Sequence, residues 1–180
     1  MGCFPPKLFS EPCAYLSDLK SSVCEFPLPS NEGKATTASN QAKLKGNEAK
    51  ANKLFELAGQ KYAEALRIKP VKHDAFFNWG IALSAQAILK GNEARASELF
   101  ELARQKYTET LRIKPEKHEA HFNLACIEGL KGNSERCCQY LKVWKKFHPN
   151  PTKMKLDNDS DFDRVRNSTE FQNFRNSLPD

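Results

Sequence analysis

With 180 residues, 39% of them hydrophobic, the chain can hold one domain of ordinary size with appended segments. It contains no apolar run of about eighteen residues, which excludes a membrane-spanning helix. The net charge of +6 is uneven: residues 1–40 and 151–180 carry −1 each and residues 41–150 carry +8, so the basicity belongs to the middle of the chain.

Residues 1–36 read as an irregular leader. Pro5, Pro6, Pro12, Pro27 and Pro29 interrupt it, while Tyr15, Leu16, Leu19 and Val23 make a short amphipathic stretch that could dock on the repeats of residues 37–150. The leader lacks the basic and apolar regions of a secretory signal, and Glu11, Asp18 and Glu25 argue against a transit peptide, so a cytoplasmic protein is expected. Met1-Gly2-Cys3 suggests acylation, but Pro6 stands where a hydroxyl or small residue is wanted. Cys3, Cys13 and Cys24 here, and Cys126, Cys137 and Cys138 later, form no CxxC pair. They read as reduced thiols rather than metal ligands or disulfides.

Residues 37–150 are organised by a repeat. Lys45–Asn78 recurs as Lys90–Asn123, an offset of 45, with 25 of 34 positions identical. A third Leu-Lys-Gly-Asn begins at Leu130, 41 residues after Leu89, so the later copy has lost four residues, about one helical turn. Each unit predicts a long helix and a shorter one. Leu54, Leu57, Ala58, Tyr62, Ala65 and Leu66 fall on one face at helical spacing, and Leu99, Leu102, Ala103, Tyr107 and Leu111 repeat them. Asn47 and Asn92 are candidate N-caps, and Pro70 and Pro115 stop the helices. Phe76, Phe77, Trp79, Ile81 and Ala85 mark the second kind of helix, while a first helix within residues 35–44 looks short or degenerate.

Asn123-Leu124-Ala125, Gly132, Cys137, Leu141 and Pro149 resemble the tetratricopeptide repeat family over His118–Pro149. The unit before it, His73–Pro115, is 11 residues longer and resembles long-helix variants of that family. Residues 151–180 resemble the segment that closes such arrays, with Phe162, Val165, Phe171 and Phe174 left to cover the last hairpin. The expected fold is all-α, a right-handed superhelical stack of antiparallel hairpins, because each hairpin needs a neighbour to cover its apolar faces. Gly80, Ala103, Ala125 and Cys137 are the small residues that would let helices approach closely.

The resemblance implies a peptide-binding groove at Asp74, Phe77, Asn78, Ile81 and Ser84, then Glu119, Phe122, Asn123, Cys126 and Gly129. Paired asparagine amides offer both donors and acceptors to a peptide backbone. The heat-shock-chaperone tail clamp is not implied, since His121 and Asn123 stand where its basic and polar residues would be.

A second surface comes from charge. Arg67, Lys69 and Lys72, then Arg112, Lys114 and Lys117, fall at equivalent turns and predict a basic edge, continued by Lys145, Lys146 and His148. Such an edge suits an acidic protein segment; no aromatic residues interleave with it, which disfavours nucleic acid. The chain has no GxSxG, HExxH, Walker or GxGxxG motif, so catalysis, cofactor and metal are not expected. The expected function is a mostly monomeric protein-interaction module that binds a peptide or acidic segment by its groove or basic edge. The alternative is a peripheral membrane adaptor held by an acylated N-terminus and that edge.

Overall fold

The computed structural model describes residues 48–90 and 93–180. The helices are α1 (Glu48–Ile68), α2 (His73–Lys90), α3 (Glu93–Ile113), α4 (His118–Leu130), α5 (Ser134–Phe147), α6 (Lys153–Asp157) and α7 (Thr169–Asn176), with a 3₁₀ turn at Ser160–Phe162. No strand occurs among the described residues. Consecutive helices from α1 to α5 pack on one another, α7 lies on α5, and the 3₁₀ turn lies on α4. The leader, its three cysteines, the candidate caps Asn47 and Asn92, and the expected helix within residues 35–44 lie outside the described residues.

The helix lengths follow the repeat arithmetic. α3 spans 21 residues against 14 for α5, and α2 spans 18 against 13 for α4, so both members of the earlier hairpin are longer. α1 and α3 end two residues before Pro70 and Pro115, and each closes on a final bond, Lys69 N–H to Ala65 O at 2.9 Å and Lys114 N–H to Thr110 O at 2.8 Å. At the third Lys-Gly-Asn, Gly132 takes φ +76°, a conformation a side chain would strain. The Gly132 and Asn133 amides then bond the Gly129 and Glu128 carbonyls, both at 2.9 Å, closing α4. Asn133 opens α5 by accepting from the Arg136 amide at 3.1 Å.

The apolar stripe on the long helices is rotated from the sequence reading. Phe55, Ala58, Tyr62 and Ala65 are buried on α1, and Leu99, Ala103 and Tyr107 on α3, with Leu54, Leu66 and Leu111 partly covered. Leu57 and Leu102 face outward, 44% and 42% exposed, because the neighbouring helix meets the face centred on the buried alanines. Gly80 sets the closest approach: a Cβ there would lie 2.6 Å from the Tyr107 ring. Ala103, Ala125 and Cys137 are fully buried, as close helix packing requires.

The last three elements, called the cap, pack on α4 and α5. Phe162, Val165, Phe171 and Phe174 are buried against Phe122, Leu141 and Trp144 of the last hairpin, as expected. Arg166 fastens the cap from within, donating to the carbonyls of Leu156 at 3.1 Å and Asp159 at 2.8 Å. Arg175 grips Asp157 with two bonds of 2.6 Å, and those hydrogen bonds, helped by its positive charge, hold the Asp157 carboxyl below the usual carboxylate range. Ser168 starts α7 by accepting from the Phe171 amide at 3.2 Å.

Candidate functional site

The expected groove residues divide by burial. Asp74, Asn78 and Ile81 on α2, and Glu119 and Asn123 on α4, are all partly exposed. They sit at repeat-equivalent places, apart from Ile81, whose counterpart Cys126 is buried. Neither asparagine amide is engaged by another described residue. Each acid follows a histidine at the helix start. Asp74 Oδ1 is 3.0 Å from His73 Nδ1, and Glu119 Oε2 is 3.7 Å from His118 Nδ1, while Glu119 Oε1 also lies 3.5 Å from Lys117 Nζ. Neither histidine contact has hydrogen-bond alignment.

Phe77, Phe122 and Cys126 belong to the interior instead. Phe77 packs on Tyr107 with centroids 5.9 Å apart, beneath the Lys117 ammonium at 4.7 Å. Phe122 is enclosed by Trp144 and Phe162 at 5.3 and 5.7 Å, and Cys126 lies beside Asp159. The cap also closes over Gly129, where a Cβ would lie 2.6 Å from the Asp161 carbonyl oxygen. Ser84 turns its hydroxyl toward the Tyr107 hydroxyl at 3.4 Å. What remains open is a shorter face made of the first halves of α2 and α4.

The basic residues are reachable by solvent throughout: Arg67, Lys69 and Arg112 are exposed, and Lys72, Lys114 and Lys117 half-buried. Arg112 is partly neutralised by Glu109 at 2.9 Å. At the third turn, His148 meets His118 edge-on at 4.8 Å and His121 stacks on Phe147 at 6.3 Å. His121 Nε2 bonds the Pro115 carbonyl at 2.9 Å, which leaves Nδ1 buried without a hydrogen-bond partner.

Burial, aided by the neighbouring His118, holds both His121 and His148 below the ordinary histidine range; Lys155 also acts on His148, opposed by Glu119. A histidine kept neutral by folding binds its proton more readily in the unfolded chain. Its contribution is complete above the unfolded value of about 6.5 and is lost as pH falls through the lower folded value. Thermal unfolding should therefore occur at lower temperature near pH 5.5 than near pH 7.5. His121→Gln should flatten that slope; an unaltered slope in the variant would place the effect elsewhere.

Three other groupings were absent from the sequence reading. Cys126, Asp159 and Asp161 bring ligand-type atoms within 4.8 Å of one another. The pieces are already used, because Asp159 Oδ1 accepts from the Asp161 amide at 3.1 Å to start the 3₁₀ turn. A cleft of about 550 Å³ opens between α5 and α7, where Glu135 and Glu170 face Lys142 and Lys145 and no charge dominates. Burial raises the Cys138 thiol on its wall, making a poor nucleophile. Lys106 lies 3.8 Å over the Trp79 ring, and burial lowers its pKa. Each of these depends on contacts between distant segments, so no local motif announced them.

The described residues are thus packed helix pairs that carry polar, repeat-equivalent residues on a partly exposed face. A family model described as the plant-specific mitochondrial import receptor subunit TOM20 matches residues 45–128, the span of α1 to nearly the end of α4. No curated protein matches the chain. The match supports a protein-interaction role, and a receptor's role is non-catalytic. It corrects the expected cytoplasmic placement, because an import receptor of mitochondria points to the mitochondrial surface rather than the free cytoplasm. No helix of the described residues is long and apolar enough to cross a membrane.

Proposed function

We propose that this chain is a receptor for mitochondrial targeting peptides, built as a short tetratricopeptide-like superhelical stack over residues 37–150 and closed by the cap at 151–180. The observation that carries the proposal is the import-receptor match over the repeat core. Mitochondrial transit peptides are amphipathic, rich in arginine and poor in acids. Such a ligand needs an apolar strip with negative charge beside it. Ile81, with Asp74 and Glu119 one repeat apart, supplies that chemistry, and Asn78 and Asn123 can hold backbone or side-chain polar groups. The basic turns would repel the same ligand, which favours the helix face over the turn edge for this purpose.

Fluorescence anisotropy with a labelled arginine-rich amphipathic peptide tests the assignment. Asp74→Lys with Glu119→Lys should weaken binding at least about tenfold, equivalent to 1.4 kcal/mol. Added salt should weaken the wild type more than the double variant. Equal affinity for a scrambled peptide of the same composition, or no effect of the double substitution, would reject the site.

A further inference from the structure

The turn end of the helix stack carries a pattern that peptide binding does not use. Among the described residues, the three most open large apolar side chains are Val71 at 70%, Ile68 at 66% and Met154 at 65%. Ile68 ends α1, Val71 lies in the turn that follows, Met154 lies at the start of α6 after the third turn, and Phe147, 36% exposed, ends α5 at that turn. Ile68 and Val71 alternate with Arg67, Lys69 and Lys72, and Phe147 follows Lys146, while Lys145 turns to the Ser177 carbonyl at 2.7 Å.

These turns lie in a row. The Thr110 hydroxyl reaches the His73 carbonyl at 3.5 Å, joining the end of α3 to the start of α2. The His118–His148 ring contact joins the start of α4 to the end of α5, and Lys155 reaches the Phe122 ring at 5.1 Å, bringing α6 to the same end. Glu64 and Glu109 stand at equivalent places before the first and middle turns, but at the middle turn Glu116 takes the place of Val71. The outer two turns are thus the more basic and the more apolar.

We propose that this edge docks on an anionic bilayer surface, with Ile68 and Val71 entering the headgroup region beside Arg67 and Lys69, and with Phe147 and Met154 making the second contact. Alternating basic and apolar side chains on projecting turns suit an interface that is negative at its face and oily just beneath. An acidic peptide would answer the charge but would leave Ile68 and Val71 in water. The surface and its chemistry are separate from those of the peptide-binding reading, so either can fail alone.

Co-sedimentation of the full chain, made in bacteria so that no acyl chain is attached, with phosphatidylcholine vesicles containing about 30% phosphatidylserine is the test. Binding is expected with these vesicles, not with pure phosphatidylcholine, and should fall as salt rises. Arg67→Gln with Lys69→Gln should weaken it by about 30-fold. Ile68→Ser with Val71→Ser should weaken it by at least about tenfold, since neither side chain is packed and the fold is retained. Leu57→Ser with Leu102→Ser, exposed but away from the turns, should leave binding unchanged. The proposal is overturned by equal binding to neutral vesicles, by indifference to both turn substitutions, or by binding to polyglutamate without binding to vesicles.

Discussion

Phe162→Ala should destabilise the protein by about 3–5 kcal/mol, the usual loss when a buried aromatic ring is cut to a methyl in a close-packed interior. Phe162 is fully buried where the cap meets the last hairpin, with ring centroids 5.4 Å from Phe171 and 5.7 Å from Phe122. Its loss leaves a void shared by three elements that are otherwise tied at their margins. The half-buried Arg166 bonds to the Leu156 and Asp159 carbonyls and the Arg175 pair with Asp157 are polar ties that cannot fill that space. Chemical denaturation of the full chain gives the loss as a shift of the midpoint at constant slope. A loss below about 1 kcal/mol would mean that the cap packs loosely on α4.

The hairpin core was legible because the chain repeats itself. The last unit, 11 residues shorter than the one before it with four of them lost ahead of the third turn, predicted a shorter α4 and α5, and both are shorter. The cap's buried quartet was legible for a similar reason, since its polar residues fall between the apolar ones at helical spacing. Burial at the site was not. Phe122 and Cys126 occupy positions that look like groove residues, yet the cap, some 35 residues further on, covers them. Phe77 is lost to solvent through Tyr107 and Lys117, contacts that no local pattern records. Leu57 and Leu102 went to the wrong face because a helix rich in leucine and alanine admits two apolar stripes. Only the neighbour's placement decides between them.

The pair Gly59→Ala and Gly80→Ala should split in sign, although both glycines lie inside helices, where alanine is favoured by about 1 kcal/mol. At Gly59 the new methyl would meet only the Trp79 indole edge at 3.4 Å, near ordinary contact, and the equivalent residue in the next repeat is Arg104. That substitution is expected to be neutral or stabilising. At Gly80 the methyl would fall 2.6–2.9 Å from three atoms of the Tyr107 ring, too close to coexist. The ring is fully buried and its hydroxyl is near that of Ser84, so it has nowhere to swing. α2 and α3 must separate, and overpacking of this kind costs about 1–3 kcal/mol. The equivalent residue Ala125 keeps its methyl in a core shared with Cys137, Leu141 and Trp144. Tyr107→Leu combined with Gly80→Ala should recover part of the loss, as expected for two residues that share one space. Strict additivity of the two substitutions would show that the tyrosine ring is not what requires glycine at position 80.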